Sequence, residues 1–446
     1  MSRLKFAILP VYLFLCLMLG GSSRAIWANA FLQLSGTMIL AWALLSRDPP
    51  ALPSGARPLL LIIALLGLLF AIQLLPLPPA IWTALPARDF AARGFDLLGM
   101  PRPWMPLSLS PYDTIASALV LLPPLALLVA MLRLRSWRAE HMLVALLAGT
   151  GISILLGVLQ VTSGDRWYFH QVTNLGVAVG TFANANHFAT LLLVAIPVLC
   201  ALAIGRRRAA RGKQQRSLSL LLSVIAAAIL LIGILMCRSA AFLLIGPPVV
   251  AATVMMAMRL PRVRVRQGFL AIALLVLLAG GALVFAGDRL PGWGTTASVE
   301  TRKEYWATSL KAAERQSLTG WGFGTFQEAY RRYEDATKVD RFYVNHAHND
   351  YAEIAVEGGI PTLLLVAIFL LWWTGRARQA WTSAGATIEQ KAASIASAAI
   401  LLHSLFDFPL RTSAMTAVLG LCLALLAGAR GVPRSDGKEK PRHATL

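Results

Sequence analysis

Runs of about twenty apolar residues, repeated along nearly the whole chain, decide what this sequence can fold into. A helix of that length just crosses the hydrocarbon core of a bilayer, and in lipid only a helix or a closed barrel satisfies its own backbone. Twelve such runs occur, near 4–20, 25–46, 58–76, 112–132, 140–161, 186–205, 217–236, 239–258, 268–286, 359–374, 392–405 and 412–428. The expected fold is an all-α integral membrane protein with about twelve transmembrane helices. Pro10, Pro123, Pro197 and Pro247 fall inside runs, which packed membrane helices tolerate because neighbours satisfy the freed carbonyls. Only 14% of the 446 residues are charged, against about 25% in soluble domains.

Lysine and arginine orient the runs. With the N-terminus in the cytoplasm, the inside segments hold 25 of the 41 basic residues; nine of the other 16 lie in one long outer loop, and short outer loops share seven. This is the bias that membrane insertion imposes. It also accounts for the formal charge of +20, so no nucleic-acid partner is expected. The first run, followed by "WANA" with its Ala-x-Ala, can also be read as a cleavable signal, which leaves the other runs oriented the same way. Cys16, Cys200, Cys237 and Cys422 are widely spaced in or beside apolar runs and suggest neither a disulfide framework nor a thiolate metal site.

The expected organisation is helices 1–5 over residues 1–179, helices 6–9 over 180–286, a long periplasmic loop over 287–358, helices 10–12 over 359–430 and a basic cytoplasmic tail over 431–446. The 72-residue loop contains 11 of the chain's 21 acids and is too short for a large independent domain. It is expected to carry short helices lying on the outer membrane face. In "SVETRKEYWATSLKAAE", Val299, Arg302, Trp306, Leu310 and Ala313 share a stripe at helical spacing. The alternating glycines of "GWGFGTF" predict a turn.

The runs hold no Asp, Glu, Lys or Arg deep inside. Transporters that move ions keep such residues near mid-membrane, and lipid-glycan flippases expose a charged central cavity, so uncharged spans disfavour a lipid-glycan transporter. Polar residues collect instead at the outer ends. Arg238 sits in the nearly loopless turn "CRSAA", against the charge bias. It reads either as a side chain snorkelling to headgroups or as a fixed guanidinium for an anion. Arg411 in "FDFPLRT" is a second case, with Asp407 four residues before it as an orienting or pairing partner. Arg302 is a third, reading either as a stack on Trp306 or as an anion ligand. In "GTFANANHFAT", Asn184 or Asn186 is a candidate helix cap, with His187 in the first turn at the surface.

The stretch "YVNHAHNDYAEIAVEGGIPT" carries His346-x-His348-x-Asp350. A metal reading needs further histidines and a supporting sandwich larger than the loop provides. A second reading is a helix, "HNDYAEIAVE", closed by Gly358-Gly359, with Pro361 opening the next run. A histidine in its first turn is held neutral by the helix dipole and suits a general base. A capped interfacial helix without chemistry is the third reading. His346 is spaced to pair with Asp350 at i, i+4.

Together, "GTFANANHFAT", the Arg238 turn, "GWGFGTFQEAY" and "NHAHNDYAEIAVEGGIPTLLL" resemble the O-antigen ligase and polymerase superfamily of bacterial membrane glycosyltransferases, from about Gly180 to Arg411. The ligases share His348-Asn349, nine residues, then Gly359; the Ile360-Pro361-Thr362 that follows departs from them. The resemblance implies a multi-pass enzyme of the bacterial inner membrane, with both termini cytoplasmic and a periplasmic active site. It implies an undecaprenyl-pyrophosphate-linked glycan as donor and a sugar hydroxyl of lipid A–core, or another glycan, as acceptor. It implies inverting transfer with no cofactor and no metal. His348 is the expected catalytic residue. Arg238 and Arg302 are the expected substrate-binding residues, with Arg411, Asn186 and His187 as further members. A polymerase of the same superfamily is the alternative.

Overall fold

The computed structural model describes residues 4–23, 26–86, 88–163, 165–170, 174–258, 267–268, 271, 296–339 and 343–432. The apolar runs form α1 (Lys5–Leu19), α2 (Ile26–Leu44) and α3 (Ala56–Leu74). The segment between α3 and the next run holds a two-residue antiparallel pair, β1 (Pro76–Leu77) and β2 (Met105–Pro106), with the short helices α4 (Pro79–Trp82) and α5 (Asp89–Leu97) inside it. The expected span 112–132 is two helices, α6 (Pro111–Val120) and α7 (Leu122–Arg133), which meet at Leu121 just before two prolines. Proline lacks an N–H and crowds the preceding turn, so the break falls there.

Next come α8 (Ala139–Ser163), α9 (Ala185–Ala209), α10 (Lys213–Cys237) and α11 (Ala240–Met258). The expected span 268–286 falls on residues of which only 268 and 271 are described. Then follow α12 (Thr296–Arg315), α13 (Phe326–Arg331), α14 (Asp350–Thr382), α15 (Ile388–His403) and α16 (Ser413–Ala427). Seven of the described helical segments are long and apolar enough to cross a membrane. With α2 against α7, α9 against α10 and α15, and α16 against α7, the bundle buries one large apolar cluster.

α14 is two helices in line. Gly359, at φ 60° and ψ −159°, breaks it, and the freed Ile360 N–H donates to Ser317 O at 2.7 Å. A Cβ at Gly359 would lie 2.6 Å from that same carbonyl, so the kink needs glycine both for its conformation and for its close approach. The glycine turn 320–324 docks here too, with Trp321 N donating to Val356 O and Gly322 N to Glu357 O, each at 3.0 Å. A satellite core of Trp321, Phe326, Tyr330 and Val356 lies beneath the turn.

α12 packs differently from the expected stripe. Trp306 and Leu310 are exposed, while Thr308, Ser309 and Ala312 are buried. Small side chains let α12 approach α14 closely, and Trp321 closes over them by donating from Nε1 to Ala312 O at 2.8 Å.

Candidate functional site

The local signals at four helix ends place the polar residues. Asn184 caps α9, its side chain accepting from Asn186 N at 2.8 Å, so Asn186 and His187 fall in the first turn. α10 ends at Arg238 in the left-handed region (φ 46°, ψ 38°). Its neighbours tie it to α9: Cys237 Sγ donates to Ala185 O at 2.9 Å, and Ser239 Oγ to Asn186 Oδ1 at 2.8 Å. Asn349 caps α14, accepting from Tyr351 N and Ala352 N. Asp350 N and Asn349 Nδ2 donate to Ser404 O and Leu405 O beyond α15, at 2.9 and 3.0 Å. His348 stands just before the cap at φ 49°.

These ends converge on Asp407, whose side chain is fully buried. Its Oδ2 accepts from Asn186 Nδ2 at 2.5 Å and lies 3.7 Å from Arg302 Nη2. Its Oδ1 accepts from Phe408 N at 2.9 Å, with His187 Nε2 at 3.5 Å and His348 Nδ1 at 3.6 Å. Burial pushes the Asp407 carboxyl up, but the imidazoles of His187 and His348 outweigh it and hold the group well below the usual carboxylate range. Asp407 therefore stays ionised, with His348 Nδ1 turned towards it. Tyr305 stacks on the His348 ring, centroids 5.7 Å apart. Among the described non-glycine residues only Asn174, Arg238 and His348 have positive φ, a conformation that costs an L-residue about 1–2 kcal/mol and persists where surroundings enforce it.

A second network lies on the other side of Phe408. Arg411 Nη2 donates to Glu357 Oε2 at 3.0 Å, while its Nε lies 3.3 Å from Glu353 Oε1 and 3.7 Å from Asp350 Oδ1. His346 Nδ1 is 2.8 Å from Glu353 Oε1, and Ser404 Oγ donates to Asp350 Oδ2 at 2.7 Å. The Phe408 ring separates the networks, with centroids 4.2 Å from His346 and 4.9 Å from both His187 and His348.

The structure thus brings Asn186, His187, Arg302 and His348 around one carboxylate, with Arg238 beside them through Ser239. It differs from the sequence expectations in four ways. His348 precedes the α14 cap rather than lying in the first turn. His346 turns to Glu353, not Asp350, because the helix begins only at Asp350 and no i, i+4 pair exists. His187 is 2% exposed, not at the surface. Arg411 pairs with the acids of α14 instead of Asp407, and Asn186 is tied to Asp407 through Nδ2 and to Ser239 through Oδ1. His346 and His348 face different carboxylates. Their alternation with Asp350 therefore builds two networks, and among the described residues no cluster has metal-ligand geometry.

Two residues were underrated in the sequence. Asp407 reads there as a partner of Arg411. His403 raises no signal, yet it is buried and its Nδ1 lies 2.5 Å from Thr190 Oγ1. An acid in a minimal turn between two apolar spans was the available clue.

Long apolar helices, with charged and imidazole groups buried where their ends meet, define a multi-pass membrane protein. A family model described as O-antigen ligase matches residues 225–367. That match spans Arg238, Arg302 and His348 and supports the O-antigen ligase and polymerase superfamily, whose members are glycosyltransferase-like enzymes with lipid-linked glycan and acceptor substrates. No curated protein matches the chain.

Proposed function

We propose that this protein is a ligase-type glycan transferase of the bacterial inner membrane, with about twelve spans, both termini in the cytoplasm and the Asp407 site on the periplasmic face. It moves a glycan from undecaprenyl pyrophosphate to a sugar hydroxyl of lipid A–core. The observation that carries the reading is the juxtaposition of His348 Nδ1 and Arg302 Nη2 on the one buried carboxylate of Asp407, at 3.6 and 3.7 Å, with Arg238 at the adjoining helix end.

In this reading Asp407 is a positioning residue. It orients His348 so that Nε2 accepts the acceptor hydroxyl proton. The oxygen then attacks the anomeric carbon opposite the pyrophosphate, the bond to the leaving oxygen breaks, and the centre inverts. The charge gathering on the pyrophosphate is taken up by Arg238 and Arg302, whose planar guanidinium groups match phosphate oxygens. The donor is already activated, so the step requires no nucleotide, and the two guanidinium groups take the charge-neutralising place that a metal ion would hold. Asn186, His187 and Arg411 serve the scaffold: the first two hold Asp407, and the last neutralises the acids that anchor α14.

Polymerisation is the second reading, favoured by the Ile360-Pro361-Thr362 that departs from the ligase pattern. A deletion strain distinguishes the two. Loss of a ligase leaves full-length glycan on the carrier and bare lipid A–core; loss of a polymerase leaves single repeat units on their acceptor.

A further inference from the structure

The segment between α3 and α6 has its apolar face turned the wrong way for a soluble loop. Its inner side is fixed. Ala92 and Arg88 are buried, Arg88 donates to the carbonyls of Leu107 and Pro106, and Trp82 Nε1 donates to Pro103 O at 2.9 Å. Gln316, just beyond α12, donates to Pro86 O, and the Arg332 guanidinium lies 5.2 Å over the Phe90 ring. The outer side is nevertheless apolar. Phe90 is 66% exposed, Leu97 88% and Leu98 72%, and Met100 and Trp104 follow. Phe90 and Leu97, seven residues apart, share one helical face.

The spans on either side of the segment also expose apolar side chains, Leu68 and Leu75 on the α3 side and Ile115 and Leu119 on α6. The segment lies on the same side of the bundle as His348, since Gln73 at the end of α3 donates to Glu357 O and Leu109 N to Trp321 O. Its exposed charges are matched within the segment, Arg93 with Asp89 at 3.2 Å and Arg102 with Asp96 at 2.7 Å.

We propose that α5 and the turn after it form a membrane-contact surface, with Phe90, Leu97, Leu98, Met100 and Trp104 set into the headgroup layer of the leaflet beside the candidate site. An amphipathic helix of this kind binds by burying its apolar face at the interface, where tryptophan is also favoured. Because the segment's exposed arginines, Arg93 and Arg102, are paired with its own acids, the contact is chiefly apolar and independent of anionic lipid. The Gln316 and Arg332 contacts then make the segment a strut between the bilayer and the part of the chain that bears Arg302. This surface stands whether or not the chain transfers glycans.

The test is a Leu97→Cys variant carrying an environment-sensitive fluorophore, in nanodiscs of phosphatidylcholine with or without phosphatidylglycerol. Label on the wild-type cysteines, three of four buried, gives the background, and a Glu328→Cys variant, at an exposed position of α13, gives the aqueous control. The Leu97 probe is expected to emit to the blue of the Glu328 probe, to be quenched by lipid spin-labelled near the headgroup, and to respond equally in both lipid mixtures. A Leu98→Cys variant should behave the same. Water-like emission at both positions overturns the proposal. So does a blue shift that spin-labelled lipid does not quench, which means that protein covers the face, or a shift seen only with phosphatidylglycerol.

Discussion

Replacing Asp407 by asparagine changes one atom of the site and removes its charge, which makes the outcome calculable. The oxygen that remains can keep the bond from Phe408 N. The new NH2 then faces Asn186 Nδ2, which now donates to Oδ2 at 2.5 Å. Turning the Asn186 amide over to meet it would break the 2.8 Å bond from Ser239. One buried hydrogen bond is therefore left unmade, a cost of about 1–3 kcal/mol. Asp407 is depressed in the folded protein. Its contribution to stability is thus fully present above the ordinary carboxylate value and is lost only as pH falls through the depressed one, so the stability gap between the two proteins should close only in acid. For transfer, loss of the anion that orients the base should lower the rate by roughly 10²–10⁴-fold. A structural role alone would lower the amount of folded protein and spare the turnover of what remains, whereas loss of the orienting anion lowers the rate per folded molecule. The assay is glycan transfer in proteoliposomes by a quantified amount of folded protein, read by gel mobility. A rate per folded molecule near wild type would refute the role given to Asp407.

The other perturbations separate chemistry from scaffold. Arg238→Lys and Arg302→Lys keep charge but lose the two-pronged donor, and each should lower transfer by about 10²–10³-fold at normal expression; near-wild-type rates in both would remove them from the site. His348→Gly and His348→Ala lose the same ring contacts but differ in backbone freedom. Since left-handed φ costs an L-residue about 1–2 kcal/mol and glycine costs roughly 0.5–1 kcal/mol in chain entropy, the glycine variant should unfold at the higher temperature. Arg411→Met leaves three buried carboxylates without their cation, for which about 3–5 kcal/mol of destabilisation is expected, seen as lost folded yield in fluorescence-detected size exclusion. A well-folded but inactive Arg411→Met protein would return Arg411 to the ligand-binding set.

The helical architecture was legible because lipid imposes its length on apolar runs, and eleven of the twelve expected runs coincide with helices among the described residues. Arg238 stood out because a charge in a nearly loopless outer turn goes against the local composition, Arg302 because it shares a helical stripe with Trp306, and His348 because it lies in a polar stretch just before an apolar run. The organisation around Asp407 was not legible. Its contact with Asn186 spans 221 residues of sequence, and nothing in either stretch names the other. Sequence proximity favoured Arg411 as its partner, whereas the structure supplies that arginine with carboxylates from 54 to 61 residues away. The α4–α5 segment was missed because its elements are too short for periodicity to register.

The central claim is that His348 is the base at the Asp407 site. It is tested most directly by measuring, on one preparation of purified His348→Ala protein, both binding of the lipid-pyrophosphate donor and transfer to acceptor. The account predicts unchanged donor binding and transfer lower by roughly 10²–10⁴-fold, with a chelator leaving wild-type activity intact. Transfer at the wild-type rate by the alanine variant would contradict it, as would wild-type activity that a chelator removes and a divalent ion restores.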